Sequence, residues 1–294
     1  MKVLVVANDG QIRDAVVTLF EARNREYLAV GREWLSHAGS DIGGCSEQPV
    51  ISSDVGLVVN AISLESLSLD DESLINELAL LAQVCEQSAI PLLQLSSSLV
   101  FDGLESARHT EQCDVSPCSD HAVLLARMEE LVETRCNQHI ILRSGPIFSG
   151  NLSVKNNVLV DILQAFTLGG ARSFSNVGSS CPVHADDLAR VISGVIDQIE
   201  CGCDAWGVYH YCSSDPVSHY HFVETVLAVV AQHVDLGDKS LSLVESSEAD
   251  ANDQDGWSAP LLNCQKIFHT FGIKQLPWRV AIIPTVKSAY NVEG

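Results

Sequence analysis

Short apolar runs alternate with amphipathic stretches through the first half of the chain. Val3–Ala7, Tyr27–Val30, Gly56–Ala61, Pro91–Ser96 and His139–Arg143 are dominated by aliphatic residues. That is the pattern of strands covered on both faces. Between them, Gln11–Glu21, Glu72–Gln87 and Ser119–Arg135 repeat apolar residues at three- and four-residue intervals, the spacing of one helix face. Strand–helix–strand order repeated this way predicts an α/β fold with a doubly wound parallel sheet. From Asn151 the pattern loosens, and a smaller lobe is expected. Ala185–Ile199 and Trp206–Tyr211 then return to the sheet, so the two parts interleave: 1–150 and 183–211 build the sheet, while 151–182 and 212–294 build the smaller C-terminal lobe. Helices are predicted at His219–His233, Asn263–Phe271 and Val280–Tyr290. There is no internal repeat and no low-complexity linker.

Composition narrows the partners. The net charge of −21 argues against nucleic acid and anionic membrane surfaces. Much of the acidity falls in a polar stretch from Glu245 to Asp255, which reads as a solvated loop. No apolar run is long enough to span a bilayer, and the short run at Lys2–Ala7 reads as a buried strand rather than an export signal. A cytoplasmic location follows as the expectation, with the ten cysteines as free thiols packed like small hydrophobes.

Several local motifs carry chemistry. Ser96-Ser97-Ser98-Leu99-Val100-Phe101-Asp102-Gly103 ends a predicted central strand. His121-Ala122-Val123-Leu124-Leu125 opens the helix that follows. The first strand leads into Ala7-Asn8-Asp9-Gly10-Gln11-Ile12-Arg13. Farther on come Leu142-Arg143-Ser144-Gly145, then Cys181-Pro182-Val183-His184-Ala185-Asp186-Asp187-Leu188-Ala189 and Gly207-Val208-Tyr209-His210-Tyr211. Leu262-Asn263-Cys264-Gln265-Lys266 and Pro277-Trp278-Arg279 close the series. Together these resemble the extended short-chain dehydrogenase/reductases over nearly the whole chain, in particular the dTDP-4-dehydrorhamnose reductase-like branch. The chain is also similar to the regulatory β subunit of methionine adenosyltransferase, a non-catalytic relative.

The resemblance implies a Rossmann-like fold and a dinucleotide cofactor, NADP, with a nucleotide sugar as ligand. It places Ser97 on the catalytic Ser/Thr that holds the substrate carbonyl oxygen. It also places His121 and Leu125 where the family carries Tyr-x-x-x-Lys. A tyrosine with its pKa lowered by lysine supplies the proton for reduction, and residues four apart share a helix face. The exchange removes both the phenol and the fixed positive charge. On the cofactor side, Gly10 and Gln11 match the family's glycine turn, while Ala7 and Arg13 replace two glycines and Asp9 adds a negative charge. The first of those glycines allows the tight turn and the last the close helix–strand contact, so their loss weakens binding. Arg13 is a candidate to offset Asp9 at the phosphates. Gly31-Arg32 has the position and chemistry for the 2′-phosphate of NADP. Asn60-Ala61 resembles the turn beside the cofactor ribose, and Asn76 a structural asparagine. Ser258-Ala259-Pro260 stands where relatives carry Arg-Pro on the substrate side.

His210, Cys212, His219 and His221 fit no metal-ligand spacing, so no metal is expected. Cys201-Gly202-Cys203 lacks the spacing of a redox pair. The expected protein is a reductase-like frame that has lost standard chemistry and acts by binding a ligand, scaffolding or regulating. Its partner would be a nucleotide sugar or another protein. The alternative is an active NADP-dependent reductase or epimerase of nucleotide sugars in which His121 works beside Ser97. A homodimer is expected through helices Glu72–Gln87 and Ser119–Arg135, because Leu78, Leu81, Leu124 and Leu131 give them more than one apolar face.

Overall fold

The computed structural model describes residues 1–37, 51–62, 72–101, 108–151, 157–168, 170–233, 241–246 and 259–290. Asp102, Gly103, Ser258 and the acidic stretch from 247 to 255 lie outside the described residues. The chain runs β1 (Lys2–Val6), α1 (Gln11–Ala22), β2 (Tyr27–Val30), α2 (Glu33–His37), β3 (Val55–Asn60), α3 (Glu72–Gln87) and β4 (Leu92–Ser97). After a short 3-10 turn at Ser98–Val100 come α4 (Asp120–Arg135), β5 (His139–Ser144), β6 (Ile147–Phe148), α5 (Val158–Leu168), β7 (Gly170–Ser175) and β8 (Val183–His184). The remainder is α6 (Ala185–Glu200), β9 (Gly207–Tyr211), α7 (His219–His233), β10 (Leu241–Ser246), α8 (Gln265–Phe271) and α9 (Arg279–Ala289).

Among the described residues, six strands form the parallel sheet in the order β2-β1-β3-β4-β5-β9. The doubly wound sheet expected from the apolar pattern is therefore present. One core cluster packs α1, α6 and α8 on one face, through residues such as Val16, Phe20, Leu188, Ile192 and Ile267. A second packs α3 and α4 on the other face, through Leu74, Leu78, Leu81, Met128 and Val132. A third joins Phe148 of β6, Leu159 of α5, Phe222 of α7, and Trp278 and Ile282 at and within α9.

Local chemistry explains the helix starts. Ser119 caps α4 by accepting from Ala122 N at 3.2 Å, and His184 caps α6 by accepting from Asp186 N at 3.2 Å. At the end of α6, Gly202 takes φ +86°, and its N–H and that of Cys203 close back on Ile199 O and Gln198 O. The Cys201-Gly202-Cys203 spacing is thus a helix stop, with glycine supplying the left-handed residue.

Two features differ from expectation. The apolar surplus of α3 and α4 is taken up within the chain: Leu78 and Leu81 are buried, and Leu124 and Leu131 pack on the same cluster. The argument for a dimer through these faces loses its basis. The loosened region after Asn151 holds α5 and a parallel pair of strands, β7 with β10.

The outer edge of β9 is closed by side chains. Lys266 Nζ donates to Val208 O at 2.6 Å, and Glu111 Oε1 accepts from His210 N at 3.1 Å.

Candidate functional site

The site positions lie at the C-terminal ends of the parallel strands, where ligands of such sheets bind. Ser97 ends β4, half-buried, and its Oγ accepts from Leu99 N at 3.2 Å. That contact uses an acceptor lone pair and leaves the hydroxyl proton for a ligand oxygen. His121 is in the first turn of α4, half-buried, on the helix that packs against the Ser98–Val100 turn. Burial lowers its pKa, so the imidazole is neutral at pH 7. Leu125, one helical turn on, is 1% exposed and belongs to the core cluster of Val100, Phe101 and Leu142.

Beneath this position is a buried polar network that sequence reasoning did not find. Ser96, Arg143 and His210 stand side by side in register across β4, β5 and β9. Glu129 reaches down from α4 and takes Arg143 through both carboxylate oxygens, with Nε–Oε1 at 3.0 Å and Nη2–Oε2 at 2.6 Å. Ser96 Oγ donates to the same carboxylate. Arg143 also lies over the Phe101 ring at 5.1 Å and 3.4 Å from His210 Nε2. His210 Nδ1 is 3.2 Å from His109 O. These contacts assign the tautomer, with Nδ1–H donating to the carbonyl and Nε2 facing arginine. Burial, then Arg143, pushes His210 down to about 3. The network fixes α4, and with it His121, to the strands carrying Ser97. Breaking such a buried pair by removing one partner costs about 3–5 kcal/mol. The signal in the sequence was the alignment of Ser96, Arg143 and His210 near strand ends; Glu129 could be paired with them only once the register was known.

The cofactor end is arranged differently from expectation. Gly10 caps α1 with extended backbone, and an added Cβ would meet only Asn8 O at 3.9 Å, so there is room above the helix start. Gln11 is buried in the first turn. Arg13, expected at the phosphates, pairs with Asp9 one turn back. Arg32, expected at a 2′-phosphate, is held by Glu77 at 3.0 Å and Ser73 at 2.8 Å, while its backbone N donates to Asn8 Oδ1. A Cβ at Gly31 would strike the Glu33 carboxylate, which folds over that position. Asn60 is turned into the sheet, donating to Gln94 Oε1 at 2.7 Å, and Ala61 is buried with its N–H on Val6 O. Asn76 is exposed on α3 rather than tying the region together. These residues fit a dinucleotide poorly. Its phosphates would find a helix start with both nearby arginines already neutralised by carboxylates, and a further carboxylate beside the adenosine end.

A cleft of about 730 Å³ lies instead between α1, α6 and α9, with Asp14, His184, Arg190, Trp278 and Thr285 in its walls; it includes Gln11 but neither Ser97 nor His121. The four candidate metal ligands are each engaged elsewhere, Cys212 with the Cys264 sulfur at 3.7 Å. His210 is committed to the buried network, His221 pairs with Glu224, and His219 packs edge-on against Phe174. Among the described residues, no group of three or more His, Cys, Asp or Glu side chains is arranged to hold a metal ion, and no helix is long and apolar enough to cross a membrane.

The family model for the RmlD substrate binding domain matches residues 1–291. A dTDP-4-dehydrorhamnose reductase of Sinorhizobium fredii is 22% identical over 208 residues, covering 67% of this chain and 66% of that protein. One from Aggregatibacter actinomycetemcomitans is 26% identical over 212 residues, covering 69% and 68%. The match thus spans about two thirds of the length of these curated relatives. Among solved structures, a dTDP-4-dehydrorhamnose reductase ortholog from Clostridium acetobutylicum superposes with a TM-score of 0.74 at 16% identity over 98% of this chain and 99% of the other. A Bacillus anthracis dTDP-4-dehydrorhamnose reductase solved with NADP gives 0.72 at 12% identity over 99% and 98%. With the sheet order, the strand-end serine and a family model spanning almost every residue, the chain belongs to the RmlD-like branch of the extended short-chain dehydrogenase/reductases.

Proposed function

We propose that this protein keeps the frame of a dTDP-4-dehydrorhamnose reductase without its standard proton-transfer chemistry, and acts by binding a ligand, scaffolding or regulating. The observation that carries the reading is Leu125. It occupies the position expected for lysine and is buried in the core, so α4 itself presents no cation one turn from His121. A neutral imidazole without that neighbour is a poor substitute for a tyrosine whose pKa a lysine lowers. Loss of a positioned general acid is worth about 10²–10⁴-fold in rate. The pairing of Arg13 with Asp9 and of Arg32 with Glu77 supports weak dinucleotide binding. A cytoplasmic protein that engages a nucleotide sugar or a protein partner, and not nucleic acid, is in keeping with the charge of −21.

Calorimetric titration with NADPH and NADH, followed by an assay of NADPH oxidation with a 4-keto dTDP-sugar, tests this. Weak binding of both and no turnover are expected. Because Arg32 is already committed to Glu77 and Ser73, Arg32→Ala should leave the NADPH-to-NADH affinity ratio unchanged. Micromolar NADPH affinity with robust turnover would overturn the reading and make His121 a general acid beside Ser97.

A further inference from the structure

Three buried thiols meet where β9 leaves the sheet. Cys212 is the first residue past β9, Cys264 is the N-cap of α8, and Cys181 lies two residues before β8. All three are buried. The Cys212 and Cys264 sulfurs are 3.7 Å apart, and the Cys181 thiol neighbours Cys212 as well. Gln275 Nε2 donates to Cys212 O at 2.9 Å and lies 3.7 Å from its sulfur. Packing here has little slack, since a Cβ at Gly145 would strike the Cys181 carbonyl oxygen.

We propose that Cys212 and Cys264 form a dithiol–disulfide pair, which a hydroperoxide or a small-molecule disulfide oxidises, locking the start of α8 to the end of β9. The sulfurs need to close by roughly 1.7 Å to reach bonding distance, a shift within reach of side-chain rotation. Cys212 is the attacking sulfur, because Gln275 Nε2 donates toward it at 3.7 Å and steadies its thiolate. The Cys264 hydrogen bond and burial keep the Cys212 thiol raised above its ordinary value, so oxidation is slow. Its interaction with Cys212, then burial, pushes Cys181 up, which leaves it a thiol.

With a hydroperoxide, the Cys212 thiolate takes the terminal oxygen; the O–O bond breaks and the alkoxide or hydroxide leaves with a proton. The resulting sulfenic acid is attacked by Cys264. The S–S bond forms, the S–O bond breaks, and water departs with the Cys264 proton. Two electrons pass from the sulfurs to one peroxide. With a small disulfide, the same two electrons release two small thiols through a mixed disulfide.

The full-length protein, exposed to hydrogen peroxide or glutathione disulfide, then unfolded, alkylated and mapped by peptide mass spectrometry, provides the test. A Cys212–Cys264 cross-linked peptide pair is expected, reversed by dithiothreitol, with a higher melting temperature for the oxidised protein than for the reduced one. Cys264→Ser should abolish both the cross-link and the melting difference. Should Cys264→Ser fail to fold, the wild-type peptide map decides alone. Recovery of Cys212 and Cys264 as alkylated thiols while exposed Cys113 and Cys201 are oxidised would overturn the proposal, as would a cross-link from Cys212 to Cys181.

Discussion

His210 is held neutral by its surroundings, and that has a measurable cost in acid. In the unfolded chain a histidine titrates near 6.5, whereas in the fold burial and Arg143 hold this one at about 3. Above pH 6.5 both states are neutral and nothing is lost. As pH falls from 6.5 toward 3, only the unfolded chain takes up the proton, so the stabilisation disappears progressively. Between pH 7 and pH 5 this one residue is expected to remove about 2 kcal/mol of unfolding free energy. Urea unfolding at the two pH values, compared between wild type and His210→Asn, checks it; parallel losses in both proteins would refute it. The same residue shows what sequence could not reveal. Its place in a Gly-x-Tyr-His strand was readable, but its partners are 101 residues away at His109 and 67 away at Arg143, and only the strand register brings them together.

At the scale of elements, α4 decides what restoration of the family pair would do. His121→Tyr puts a phenol at a half-buried first-turn position, which the helix can accept. Leu125→Lys puts an ammonium into a core position that is 1% exposed. The double variant is therefore expected to lose about 2–5 kcal/mol of stability, through lost packing and an unpaired buried charge, and to gain no reductase activity. Chemical denaturation and an NADPH-oxidation assay check the two halves; a stable, active double variant would contradict them. The strands and helices of the sheet were legible because each carries a clean apolar run or a three-to-four spacing. Val158–Leu168 was missed because its sequence, Val-Leu-Val-Asp-Ile-Leu-Gln-Ala-Phe-Thr-Leu, is so apolar that the narrow polar stripe of Asp161, Gln164 and Thr167 is easily overlooked. β7 and β10 were missed because Gly170–Ser175 and Leu241–Ser246 hold too few consecutive apolar residues to stand out from loop sequence. Of the site, the strand-end Ser97 and the altered His121–Leu125 pair were visible as residue types. The commitments of Arg32 and Asn60 were not, because each is set by a distant neighbour that only folding supplies; the Asp9 partner of Arg13, one turn back, was in view but not its pairing.

At the scale of the whole molecule, the four leucines of α3 and α4 are taken up by the core, and a second apolar surface is a candidate for assembly. Among the described residues, large apolar side chains reach solvent on α9 and just before it, with Val280 63% and Ile283 47% exposed and Leu276 close behind. A homodimer through this face is the expected form, and Val280→Glu should shift it toward monomer in multi-angle light scattering. A wild-type protein that stays monomeric across a broad concentration range would remove the expectation. The closed edge of β9 bears on the same measurement. A bare strand edge is a template on which further copies can add without limit, whereas here an ammonium sits on one carbonyl and a carboxylate on one N–H, each matched to the polarity of the backbone group it covers. Any foreign strand would have to displace both charges at once and leave them unsolvated. If the α9 face pairs copies of the chain, the fold would separate two kinds of association: a face that pairs once and stops, and an edge that would otherwise propagate into fibres. In Lys266→Met combined with Glu111→Gln, that separation is lost, and the scattering trace should broaden from a discrete species to an open-ended series.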